Sequence, residues 1–438
     1  MTGSWWTSPE RVTVPAGREV RGVAHPPGSK SLTHRAYALA LLARRPVELV
    51  RPLDAEDTRL FESVLATLGF VVERVGERVR VAPSGRDPAR AELFCGNAGT
   101  LLRFLVALLA TVPGEWRLDG TPRLRERPIG PLADALSDLG VEIDWLGEPG
   151  HAPLVVHGGS LAGGRATLDA GESSQYLSAL LLAGQRAPAP LEIEVAALVS
   201  APYVDLTVDL IHARGGVVER PTPTLWRTRP SALEGGPIEI EPDLSAAAYP
   251  AAAAALAGGE ILIRGVRLDS RQGDRRFLEL LAAMGARVEA VEGGVRVARA
   301  ELGARDVDLS DIPDQVPTLA ALAPFARGTT AIRNVAHLRL KESDRLAAMA
   351  QELRRVGATV EELPDGLVIP GVWAEAPPPG DPVTVDPHDD HRIAMAMAIV
   401  GLRRQNLSIA HPEVVAKSYP AFFAALDSWL GGRGEPPR

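Results

Sequence analysis

Cysteine is nearly absent from this chain, with Cys95 alone among 438 residues. One thiol closes no intrachain disulfide and builds no cysteine-based zinc cluster, so the sequence points to a reducing compartment and to no metal. Long apolar runs are missing too. Ala36–Ala43 and Phe104–Ala110 are among the longest, and both fall well short of the ~18 residues a membrane span requires. No membrane partner is expected. The stretch Met1–Val12 has two tryptophans but no basic start, apolar middle or small-residue cleavage site, and a cytoplasmic protein is expected. Lysine is the other scarcity. Of 47 basic residues only Lys30, Lys341 and Lys417 are lysine, and the rest are arginine. Where arginine has replaced lysine almost everywhere, the survivors mark places where a compact ammonium cannot be exchanged for a planar guanidinium. A net charge of -8 disfavours a nucleic-acid partner.

What is present is apolar and repetitive. Apolar residues make up 46% of the chain and charged residues 23%, and this length exceeds one ordinary core, so two domains are expected. A polar cluster followed by an Ala- and Leu-rich helix recurs. Ser29-Lys30-Ser31 leads into Leu32–Ala43, Asn97-Ala98-Gly99-Thr100 into Leu101–Ala110, and Ser173-Ser174-Gln175 into Tyr176–Ala183. Asp243-Leu244-Ser245 leads into Ala246–Ala257, Asp314-Gln315 into Val316–Ala326, and Asp389-Asp390-His391-Arg392 into Ile393–Leu402. The period is roughly seventy residues, and three units per domain give two similar domains.

Amphipathic patterns lie between these helices. Leu60–Leu68, Phe277–Met284 and Leu346–Val356 each run into a glycine and a β-branched stretch, as in Gly69-Phe70-Val71-Val72 and Gly357-Ala358-Thr359-Val360. Each unit therefore reads as mixed strands with one buried and one covering helix. Buried helices that start on Ser, Asn, Asp or Lys present free N–H groups and dipoles that suit anions, and a cleft on which several such ends converge would attract a polyanionic ligand. Glu239–Pro242 is a natural crossover between domains.

The string Pro27-Gly28-Ser29-Lys30-Ser31-Leu32-Thr33-His34-Arg35 resembles the N-terminal signature of the shikimate-pathway enolpyruvyl transferases. Gly96-Asn97-Ala98-Gly99-Thr100, Arg125–Gly130, Ser173–Leu177, Lys341-Glu342-Ser343-Asp344-Arg345, Asp390-His391-Arg392 and Ala416-Lys417-Ser418 resemble the same family in the same order. The resemblance implies an α/β fold of two similar domains, each of three βαβαββ units in an inside-out, barrel-like arrangement, with the active site in the interdomain cleft. The domains would be 1–28 with 243–438, carrying Asp314, Lys341, Arg345, Arg392 and Lys417, and an inserted 29–242, carrying Lys30, Arg127 and Ser173.

The implied reaction moves the enolpyruvyl group of phosphoenolpyruvate to the 5-hydroxyl of shikimate 3-phosphate, with no cofactor. The resemblance assigns the sugar acid to Lys30, Ser31, Arg35, Ser173, Ser174, Gln175, Ser200, Tyr203, Asp314, His337 and Lys341. It assigns phosphoenolpyruvate to Lys30, Asn97, Gly99, Arg127, Gln175, Arg345, Arg392 and Lys417. Arginine forks suit carboxylate and phosphate oxygens, and Gly99 suits close approach of the backbone to a ligand. Asp314 is the candidate base, Glu342 the candidate partner for protonation at carbon, and Lys30 a possible donor. Asp54 and Asp57 are read as helix-start caps, and His391 as a buried neighbour of Asp390. A monomer is expected. Two alternatives stand beside this reading. One is the relative that transfers enolpyruvyl to UDP-N-acetylglucosamine, which carries a lysine-asparagine pair and a loop cysteine where this chain has Lys30-Ser31 and no cysteine in Gly120–Gly130. The other is a non-catalytic binding protein on the same fold.

Overall fold

A computed structural model describes Trp6 and residues 10–431. The Gly- and Pro-rich end Gly431–Arg438, whose composition predicts a frayed tail, lies beyond Gly431 outside the described residues. The chain divides into two compact units. One joins the segment ending at Pro27 to the segment beginning at Pro242, and the other is Gly28–Glu241.

Among the described residues the strands form five four-stranded sheets and one three-stranded sheet, and none closes into a barrel. Each four-stranded sheet repeats one pattern. In the second repeat, Arg90–Phe94 runs parallel to Gly114–Asp119, which pairs antiparallel with Leu154–Gly158, and that strand pairs antiparallel with Glu142–Trp145. The parallel pair needs a crossover, supplied by the buried helix Gly99–Leu109. Alternation along Gly114–Asp119 turns Trp116 and Leu118 inward and Glu115 and Arg117 outward.

Near each crossing between units, an edge strand comes from a part of the chain distant from the strand it pairs with, while staying within its own unit. Val20–Ala24, before the first crossing, pairs parallel with Gly259–Arg264. Gly236–Glu239, before the return, pairs parallel with Val47–Val50. The inserted unit thus completes its first sheet with its own last strand, and the discontinuous unit takes the edge strand of one of its sheets from before the insertion.

The six buried helices are Lys30–Leu42, Gly99–Leu109, Gln175–Ala183, Leu244–Ala257, Val316–Leu322 and His391–Gly401. They form the two cores, three helices in each. Small side chains make this possible: Ala251–Ala255 are essentially sealed from solvent. The expected helix Val316–Ala326 tightens into a 3-10 turn at Ala323–Phe325, where Pro324 supplies no amide for a further α-helical bond. The covering helices Glu56–Thr67, Arg276–Met284 and Arg345–Arg355 end beside Gly69, Gly285 and Gly357. All three glycines have positive φ, the left-handed conformation that reverses the chain at a helix end. The strand expected from Ala358 begins later, at Glu361.

Candidate active site

In the inserted unit the predicted residues gather at helix starts. Ser29 caps the first buried helix, its Oγ accepting from the Leu32 amide at 3.4 Å. Lys30 follows, and its ammonium lies 2.5 Å from Asp57 Oδ2. Asp57 is buried and is not a cap, a correction that extends to Asp54. The N-cap of helix Glu56–Thr67 is Ala55, whose amide donates to Thr58 Oγ1 at 3.1 Å. Asp54 instead takes Arg59 Nε at 2.6 Å. The cap reading failed because Thr58 does the capping from inside the helix, leaving both aspartates to pair with cations.

Arg35 is turned inward. Its Nε donates to Thr207 Oγ1 at 2.7 Å, Nη2 to the Tyr203 carbonyl at 2.6 Å and Nη1 to the Ser31 carbonyl at 3.0 Å. The guanidinium lies 5.6 Å over the Phe104 ring. Burial lowers its pKa to about 10, so it stays charged at neutral pH while tying Ser31 to the helix Ala201–Ala213. Ser200, which starts that helix, is held in the left-handed region at φ 53, uncommon for a residue with a Cβ.

Gly99 has a steric reason. A Cβ there would stand 2.6 Å from the guanidinium carbon of Arg127. The buried Arg127 donates Nη1 to the Asn97 carbonyl at 3.0 Å, so what approaches the glycine is an arginine side chain. Sequence reasoning missed Arg103, one turn further along the same helix. Its Nη1 donates to Gln175 Oε1 at 2.9 Å and to Ser173 Oγ at 3.4 Å, and Nη2 to the Pro128 carbonyl at 3.1 Å. Gln175 in turn donates Nε2 to Thr100 Oγ1 at 2.8 Å. Ser174 lies buried at the N-cap position of the third helix. The signal for Arg103 was available: an arginine inside the apolar run Leu101–Ala110 has to be paired.

In the discontinuous unit the centre is Arg345, fully buried at the start of its helix. Its Nη1 donates to Asp314 Oδ1 at 2.9 Å, Nη2 to Glu342 Oε2 at 2.7 Å and Nε to Asp390 Oδ2 at 2.7 Å. Burial opposes the charge on Arg345, but Asp390, Glu342 and Asp314 outweigh it and raise the pKa. Glu342 thus forms the helical-spacing ion pair its sequence position suggests. Asp390 is both the cap of the sixth helix, accepting from the Arg392 amide at 2.9 Å, and the clasp on Arg345. That second role was not legible, since 45 residues separate the partners.

Arg392 donates Nη2 to Asp314 Oδ2 at 2.6 Å and Nη1 to the Asp314 carbonyl at 3.3 Å. Burial alone would raise the Asp314 carboxyl, but Arg392, Arg345 and Lys341 hold it below its ordinary range. His337 is buried, and its Nε2 has no hydrogen-bond partner among the described residues. Burial, then the nearby Lys341 charge, lowers its pKa to about 4, so the ring is neutral. Lys341 follows the 3-10 turn Ala336–Leu340, and the buried Lys417 ends the turn Pro412–Lys417. His391 is buried with Nδ1 3.7 Å from Asp390 Oδ1. Tyr249, on the fourth buried helix, was also missed. It is sealed from solvent, and burial raises its pKa to about 12 despite the opposing charges of Arg392 and Arg345.

Cationic groups therefore crowd the helix starts in both units, held by buried carboxylates and carbonyls. Such a set can receive phosphates and carboxylates and can offer a carboxylate as a base.

Residues 14–426 match the family described as EPSP synthase (3-phosphoshikimate 1-carboxyvinyltransferase). A 3-phosphoshikimate 1-carboxyvinyltransferase of Syntrophobacter fumaroxidans is 45% identical over 92% of this chain and 95% of its own. One from Methanoculleus marisnigri is 43% identical over 91% and 94%. Among solved structures, an EPSP synthase from Acinetobacter baumannii superposes with a TM-score of 0.78 at 28% identity, covering 95% of this chain and 97% of that one. No helix among the described residues is long and apolar enough to cross a membrane. The chain belongs to the EPSP synthase family of enolpyruvyl transferases.

Proposed function

We propose that this protein condenses phosphoenolpyruvate with shikimate 3-phosphate, with the two units acting as the domains and contributing separate sets of ligands. Lys30, Ser31, Arg35, Ser173, Ser174, Gln175, Ser200 and Tyr203 of the inserted domain, with Asp314, His337 and Lys341 of the other, take the sugar acid. Asn97, Gly99, Arg127, Arg345, Arg392 and Lys417, with Lys30 and Gln175, take phosphoenolpyruvate. Lys30 and Lys417 are point charges, whereas Arg127, Arg345 and Arg392 are forks suited to oxyanions.

The 5-hydroxyl gives its proton to Asp314 as its oxygen bonds to the second carbon of phosphoenolpyruvate. The methylene carbon takes a proton from Glu342 or Lys30 and becomes a methyl group. Loss of a proton from that methyl group then expels inorganic phosphate and restores the double bond. The protein works as a monomer in the cytoplasm. The observation that carries this reading is the Asp314–Arg345–Arg392 cluster, which joins a candidate base to two anion-binding arginines. A phosphate-release assay tests it. Release from phosphoenolpyruvate is expected with shikimate 3-phosphate and not with UDP-N-acetylglucosamine, and the reverse preference would overturn the assignment.

A further inference from the structure

Arg345 and Arg392, assigned above to phosphoenolpyruvate, already hold an anion in this structure. Each oxygen of the Asp314 carboxylate sits on a different guanidinium, Oδ1 at 2.9 Å from Arg345 and Oδ2 at 2.6 Å from Arg392. That is how a substrate carboxylate or phosphate would bridge the same pair. A carboxylate held this way is a poor base, because both guanidinium charges stabilise its ionised form. Asp314 is therefore misplaced for the role its position suggests, unless something takes the arginines from it.

The surroundings permit that exchange. Arg345 has two further carboxylates, Glu342 at 2.7 Å and Asp390 at 2.7 Å, which fix its head without Asp314. The Asp314 side chain keeps 25% of its surface open, whereas that of Asp390 keeps 0%. One carboxylate on Arg345 is thus sealed in and another is open to exchange.

We infer that Asp314 is an internal stand-in for the anionic substrate, which occupies Arg345 and Arg392 in the free protein, yields them to phosphoenolpyruvate, and is thereby released to accept the hydroxyl proton. The inference rests on the function proposed above. It links two roles in one contact: the base is restrained while phosphoenolpyruvate is absent and becomes effective when that substrate arrives. It also means that phosphoenolpyruvate binds against a competitor built into the chain. Removing that competitor takes one carboxylate oxygen from each of the two guanidinium groups, and an incoming anion replaces them.

The test is calorimetric titration of phosphoenolpyruvate alone, at fixed salt, into wild type, Asp314→Asn, Asp314→Ser and Glu342→Gln. The two Asp314 variants are expected to bind about tenfold more tightly than wild type, a change of about 1.4 kcal/mol. Glu342→Gln, which removes a carboxylate from Arg345 without opening the bridge to Arg392, is expected to stay within about twofold. The Asp314 variants should also gain more melting temperature from phosphoenolpyruvate than wild type does, a readout that reports their folding as well. Equal or weaker binding by the Asp314 variants overturns the inference while leaving the functional reading in place. Equal tightening in Glu342→Gln also overturns it, by showing a general charge effect. Absence of phosphoenolpyruvate binding in folded wild type overturns the functional reading itself.

Discussion

Lys30 stands where the space beside an acid is small. The Lys30 ammonium stands 2.5 Å from a buried Asp57 oxygen, and a guanidinium at that place would have to spread its charge over a plane about the size of a carboxylate pair. Lys30→Arg and Lys417→Arg are each expected to lower kcat/KM by about tenfold or more, on the order of 1.4 kcal/mol in transition-state binding. Steady-state kinetics check this, and values within about twofold of wild type would remove the meaning of the lysine scarcity. His337 gives a different residue-scale prediction. Its pKa is lowered to about 4 in the folded protein, against about 6.5 in an unfolded chain. The unfolded state therefore takes up the proton first as the pH falls. The stability linked to the neutral ring is intact above about pH 6.5 and is lost progressively down to about pH 4, up to ~3 kcal/mol in all. Urea denaturation of wild type beside His337→Asn from pH 7 to pH 4 should show the two stability curves converging as the pH falls. Parallel curves would contradict a buried neutral histidine.

At the scale of elements, the site depends on how buried helices begin. The six Ala- and Leu-rich runs were legible as buried helices because each lies behind a polar starter. Their mutual bracing was not legible, since it runs through side chains such as Arg103 and Arg35 that reach other helices. Asp57 was misread for the same reason: a cap is a local pattern, whereas the ion pair between Lys30 and Asp57 spans one helix to the next. Gly99 offers a test of this bracing. A methyl group there meets the tip of Arg127 at 2.6 Å, and the tip of a long side chain can swing away. Gly99→Ala is therefore expected to cost about 1 kcal/mol in stability, the order of one lost hydrogen bond. It should raise KM for phosphoenolpyruvate several-fold, since Arg127 loses its bond to the Asn97 carbonyl. Thermal melts and KM measured together check both halves. An unchanged KM would show that the position of Arg127 does not matter to that substrate.

For the whole molecule, the sixfold period predicted the repeating sheets well, because each repeat must bury one apolar helix under strands. The long-range pairing of two edge strands was not visible, because Val20–Ala24 and Gly236–Glu239 look like ordinary strands until their distant partners are known. The Arg345 cluster was hidden likewise, its members drawn from three places in the chain. One reaction unites these features, addition to the enol double bond followed by loss of phosphate. Incubation in deuterated water with phosphoenolpyruvate and equal amounts of shikimate 3-phosphate and UDP-N-acetylglucosamine, read by mass spectrometry, tests that claim most directly. A single enolpyruvyl product is expected, on shikimate 3-phosphate, with deuterium in its vinyl group because the methylene carbon passes through a methyl stage. Product on the nucleotide sugar, or a vinyl group free of deuterium, would contradict it.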